Sequence, residues 1–121
     1  MITWNNLDKL TSYQELEKTE SVDLAAVMAG ENGAERVKNY SVPMAEGLAY
    51  NYAAKKVDDT VLAALEKLAE EAQLTEKFEA LYNGEVVNTG EKRLVLHHMT
   101  RGQLGDAVEA DGVDKRTFYV E

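Results

Sequence analysis

The chain has no cysteine, one proline, two histidines and one tryptophan in 121 residues. Without cysteine there are no disulfides and no thiolate metal sites, a composition that fits a reducing cytosol. With two histidines and no cysteine to support them, the ligand count also argues against zinc. His97 and His98 are neighbours. Adjacent residues point to different sides of a helix, so they lack the i, i+4 geometry that chelates one metal. No apolar run approaches the length a membrane helix needs. Met1-Ile2-Thr3-Trp4 leads into polar residues rather than into a basic start and an apolar stretch, so no signal peptide is expected.

What is present is an ordinary apolar share, 45%, with a formal charge of −9. That is enough for one hydrophobic core and too apolar for disorder throughout. The acidity repels phosphate backbones and anionic lipids, which excludes nucleic acid and membrane as expected partners. It fits either a basic partner or plain solubility, and solubility is the simpler reading.

The pattern along the chain predicts an α+β fold, mostly helical, with five to six short helices and a small two-stranded β-ribbon. Thr11 with Gln14 and Ser12 with Glu15 form overlapping capping boxes for a helix reaching Lys18. Asp23 caps a helix over 24–29 that Gly30 ends, and 33–38 offers another helical turn. The segments 40–43 and 48–52 read as strands joined by a glycine-containing link, and Pro43 confines its strand to an edge. The clearest helix is 58–72, with Val61, Leu62, Leu65, Leu68, Ala69 and Ala72 on one stripe. Glu66, Glu70 and Glu71 fall on its wet side. A helix from Thr75 is expected to bury Phe78 and Leu81, with Tyr82 a further candidate, before Asn83-Gly84 stops it. A further helix, capped by Thr89, is expected from Asn88 to Arg101. Beyond it, 103–121 reads as an extended strap ending in Phe118-Tyr119-Val120.

No residue set declares a reaction. There is no serine–histidine–acid combination, no glycine-rich phosphate cradle and no paired acids. Arg93 and His97, spaced i, i+4 on the expected last helix, read as structural anchors, with His97 buried and hydrogen-bonded. A phosphate contact from Arg93 is the sharper alternative, but it lacks a glycine- or serine-rich loop beside it. Tyr50 and Tyr52 share one strand face and read as core packing rather than as a ligand shelf.

One block carries more specific information. Gly84-Glu85, then Asn88, Thr89, Glu91, Arg93, Val95, Leu96, His97 and Arg101, resembles the phosphoglucose isomerase family. Gly47-Leu48-Ala49-Tyr50-Asn51-Tyr52 and 57–62 are similar to that family's neighbouring strand and helix start. Asn51 stands where an aspartate is usual, Ala53-Ala54 where a serine–lysine pair is usual, and Gly90 where a polar residue is more common.

The resemblance implies an enzyme that interconverts glucose 6-phosphate and fructose 6-phosphate by ring opening and glutamate-mediated proton transfer, without cofactor or metal. It implies two αβα sandwich domains and a homo-oligomer, with the active site in later parts of the chain. Asn88, Thr89, Glu91, Arg93 and His97 then form a structural motif, and no catalytic, cofactor or metal residue is assigned. The expectation is an N-terminal segment (1–102) followed by a strap (103–121) leading to the remainder of the isomerase chain, its partner. The exposed apolar surface is expected around Leu94, Met99 and residues 118–120. A freestanding, non-enzymatic interaction module derived from the family is the alternative.

Overall fold

Asp58 accepts a hydrogen bond from the Val61 N–H at 2.8 Å, and the longest helix starts beside it. The computed structural model describes residues 1–102 and 105–120. Its contacts divide the chain into two units, 11–68 and 1–10 with 69–121.

In the 11–68 unit, α1 (Thr11–Leu16) closes with the Thr19 hydroxyl donating to the Leu16 carbonyl at 2.7 Å. Asp23 caps α2 (Leu24–Val27), accepting from the N–H groups of Ala25 and Ala26 at 3.0 and 3.2 Å. This helix ends two residues short of the expected Ala29, and α3 (Gly30–Asn39) is longer than the expected turn. The tight α2–α3 corner requires Gly33, because a Cβ there would lie 2.2 Å from the Met28 carbonyl oxygen. Next, β1 (Ser41–Pro43) and β2 (Ala49–Asn51) form the expected antiparallel ribbon, Val42 opposite Tyr50. Most of α4 (Asp59–Glu71) follows, with Val61 buried and Leu65 38% exposed.

In the other unit, Gln73 takes a left-handed conformation (φ 53°) and separates α4 from α5 (Leu74–Tyr82). Its side chain accepts from the Thr3 N–H at 2.8 Å and donates to the Met1 carbonyl at 3.3 Å, tying the N-terminus down. Ala80 is the buried residue of α5. Phe78, expected inside, is 63% exposed. Gly84 ends the helix at φ 74°, as its sequence position predicts.

The expected helix from Asn88 to Arg101 does not form. In its place, β3 (Val86–Asn88) and β4 (Arg93–Leu94) make an irregular hairpin, followed by a single 3₁₀ stretch over His97–Arg101. The reason lies in Asn88 and the residues around it. Its side-chain oxygen accepts the Glu91 N–H at 3.1 Å, which closes a turn rather than capping a helix. Val86 and Val87 before it favour extended backbone, and Lys92 completes the turn at φ 54°.

The expected strap over 103–121 also takes a different form. Among the described residues it contains β5 (Glu109–Ala110), β6 (Val113–Asp114) and α6 (Lys115–Val120). Asp111-Gly112 links the strands with two positive φ angles, 55° and 74°, the signature of a two-residue hairpin turn. Asp114 then accepts from the Arg116 N–H and from the Thr117 hydroxyl, and so starts α6. Residues 103, 104 and 121 of the strap lie outside the described residues. The class holds, mostly helical with small ribbons, but the described residues contain three two-stranded ribbons instead of one.

Candidate functional site

Two buried arginines organise the two units, and neither stood out in the sequence. In the 11–68 unit, Arg36 projects from α3 and is 7% exposed. Its Nε donates to the Ala53 carbonyl at 2.8 Å, and its Nη2 to those of Lys55 and Val57 at 2.9 and 2.6 Å. One guanidinium thus satisfies three carbonyls of the segment between β2 and α4, a task its planar fork of donors suits. The same group lies 4.3 Å from the centre of the Tyr40 ring.

Tyr40 in turn donates its hydroxyl proton to Asp59 at 2.9 Å. Desolvation raises the Tyr40 pKa above its ordinary 10.0, and the Asp59 hydrogen bond and charge add to this. Asn51 donates from its amide to the Val37 carbonyl at 2.7 Å and accepts the Ala53 N–H at 3.1 Å. An ionised aspartate has no donor for the first of these bonds.

The other unit repeats the device. Arg116 is 3% exposed; its Nε donates to the Asp106 carbonyl at 2.5 Å and its Nη2 to the Tyr82 carbonyl at 2.6 Å. Its guanidinium stands 4.8 Å from the Tyr82 ring centre. His98 stacks on the same ring at 5.1 Å, and its Nε2–H donates to the same carbonyl at 3.1 Å. Asp114 accepts from the Val108 N–H at 3.1 Å as well as from Arg116 and Thr117, and the Thr117 hydroxyl is the main cause of its lowered pKa.

The motif residues are gathered in and after the β3–β4 hairpin. Asn88 donates to the Glu91 carboxylate at 3.2 Å, and Arg93 stands 3.9 Å from the same carboxylate with both side chains exposed. Such an exposed pair contributes little stability. Thr89 is exposed and caps no helix. Arg93 and His97 are not one turn apart, since Arg93 lies in β4 and His97 opens the 3₁₀ stretch. His97 is exposed, against expectation, and the packed histidine is His98. Adjacent histidines of like type carry no sequence signal for which one turns inward.

His97 lines a hollow of about 290 Å³ with Leu94, Leu96, Thr100 and Tyr119. Met99, expected to be part of an exposed stripe, is the largest fully buried side chain. Phe118 and Tyr119 are exposed as expected, at 59% and 43%. Tyr50 is 48% exposed and stacks on Tyr52 at 6.1 Å, so it is not core. Glu66, Glu70 and Glu71 are exposed, in keeping with a solvated face. Among the described residues no three of His, Cys, Asp and Glu gather as metal ligands would. No described helix is long and apolar enough to cross a membrane. The geometry holds and positions backbone.

The family model for phosphoglucose isomerase matches residues 51–118, which includes the whole motif, the β3–β4 and β5–β6 hairpins and Arg116. The chain belongs to the phosphoglucose isomerase family. Relatives named glucose-6-phosphate isomerase match over nearly its whole length. That of Treponema denticola is 52% identical over 97% of this chain, and that of Treponema pallidum 45% identical over 99%. That of Borreliella burgdorferi is 35% identical over 98%. The chain spans about a quarter of the length of these relatives, 23%, 23% and 22%. The isomerase match also runs through the 102/103 boundary expected from sequence pattern and ends close to the end of α6.

Proposed function

We propose that this chain is the N-terminal structural segment of a glucose-6-phosphate isomerase, an aldose–ketose isomerase of glycolysis and gluconeogenesis that interconverts glucose 6-phosphate and fructose 6-phosphate. The observation that carries the reading is the 52% identity to the Treponema denticola isomerase over 97% of the chain but only 23% of that relative. The site geometry agrees with a structural role: its two buried arginines bind backbone carbonyls, and the motif residues close a turn. The reactive groups belong to the rest of the enzyme. The working enzyme is a cytoplasmic homo-oligomer that requires no cofactor. The −9 charge keeps nucleic acid and anionic membranes away.

The test is a chimera in which this chain replaces the matching quarter of the Treponema denticola enzyme. The chimera is expected to isomerise fructose 6-phosphate in a coupled assay, while the isolated chain stays at the blank at high protein concentration. Turnover by the isolated chain that survives repurification, or a chimera that folds but is dead, overturns the reading. A dead chimera favours the freestanding interaction module.

A further inference from the structure

We propose that the face built by the β1–β2 ribbon and α4 is a docking surface for an extended segment of the remaining isomerase chain, which adds along β2 and sets apolar side chains into the groove beside it. This inference rests on the proposed function above, since the partner is the three-quarters of the relatives' length that lies beyond the match.

The groove comes first. Val42, Tyr50, Tyr52, Val57, Leu62 and Leu65, with Lys55, line a mostly apolar hollow of about 390 Å³. Val42, Tyr50 and Leu65 are 44%, 48% and 38% exposed, and Leu48, further along the ribbon, is 65% exposed. Val42 and Tyr50 are cross-strand partners, and Leu48 and Tyr52 fall on the same face by the alternation of a strand. So the ribbon presents one continuous apolar face, and the α4 stripe continues it through Leu62 and Leu65. An acidic chain gains nothing in water from such a face. Contiguous apolar surface of this kind marks an interaction site.

The hydrogen-bond pattern then says what shape of partner fits. The Met44 N–H donates to the Leu48 carbonyl at 2.8 Å and the Tyr52 N–H to the Tyr40 carbonyl at 2.9 Å. In an antiparallel pair, bonded positions alternate with unbonded ones. Residues 42 and 50 are therefore bonded across, while Ser41, Pro43, Ala49 and Asn51 turn their backbone groups to the outer edges. Proline has no N–H, so the β1 edge is blunted. The β2 edge offers the full set of groups at Ala49 and Asn51, and no third strand pairs with it among the described residues. An open edge beside an apolar face is the arrangement that receives an added strand: backbone bonds hold it and alternate side chains fill the hollow.

Hydrogen exchange and melting of the isolated chain and of the chimera test this. The Ala49 and Asn51 amides are expected to exchange at least about 100-fold more slowly in the chimera than in the isolated chain, because only the chimera supplies the strand. Tyr50→Ser and Leu65→Gln are expected to lower the chimera's melting temperature by several degrees more than the isolated chain's. Equal amide rates in the two proteins, with chimera melting unmoved by both variants, overturn the surface while leaving the family reading intact. A chimera that folds but does not turn over sinks that reading, and the surface with it. A dimer of the isolated chain in sedimentation, dissolved by Tyr50→Ser, assigns the face to a second copy and also overturns the proposal.

Discussion

Arg116 and Tyr82 meet twice: the guanidinium donates to the tyrosine's carbonyl at 2.6 Å and lies 4.8 Å from the centre of its ring. The residues are far apart in sequence, so this one side chain fastens α6 to the end of α5. Arg116→Ala leaves the Tyr82 and Asp106 carbonyls without that donor. It is expected to cost about 2–4 kcal/mol, the range for losing buried charge-assisted hydrogen bonds. Arg116→Lys keeps the charge but not the fork, and should recover only part of the loss. Denaturant midpoints of the two variants check this; equal midpoints for Ala and the parent chain sink it.

Gly84 faces Val108. A Cβ on the glycine would stand 2.2 Å from the nearest methyl of the valine, and the backbone there is left-handed at φ 74°. Gly84→Ala should therefore destabilise by about 1–3 kcal/mol through clash and backbone strain together. Adding Val108→Ala relieves the clash alone. A double-mutant cycle is expected to show positive coupling that leaves part of the Gly84→Ala cost behind.

The two histidines should separate cleanly. His97 is exposed, so His97→Ala is expected to change stability by less than about 0.5 kcal/mol. His98 stacks on Tyr82 and donates to its carbonyl, so His98→Ala should cost about 1–2 kcal/mol. Thermal unfolding of both variants decides which histidine is structural, and the reverse order would refute the assignment.

The pH dependence has two ends. Tyr40 binds its proton more tightly in the fold than its ordinary value of 10.0, chiefly through desolvation and the Asp59 hydrogen bond. The unfolded chain ionises first, so the Tyr40 contribution is full below pH 10 and fades as pH rises through the folded value. Asp114 is the opposite case. The Thr117 hydroxyl holds its pKa below the ordinary 3.8, so its contribution is present above that value and is lost as pH falls through the folded one. Tyr40→Phe should flatten the alkaline limb of a stability–pH curve and Asp114→Asn the acid limb. Curves that keep their shape count against both.

The sequence by itself determined the elements whose signals are local. Asp23 caps α2, Gly84 stops α5, and the stripe from Val61 marks α4, because caps, left-handed glycines and helical periodicity act over a few residues. It also determined the family, since the block from Asn88 to His97 is specific as a pattern of letters whatever backbone it adopts.

The tertiary structure decided the rest. Whether Asn88-Thr89 opens a helix or closes a hairpin depends on which N–H its side chain meets, and both options satisfy the same local chemistry. The inward turn of His98 rather than His97 was set by Tyr82 and Arg116, from α5 and α6. Arg36 and Arg116 became the organising residues because distant carbonyls needed donors that their own segments could not supply. No period or motif encodes a bond between an arginine and a backbone 17 or 34 residues away.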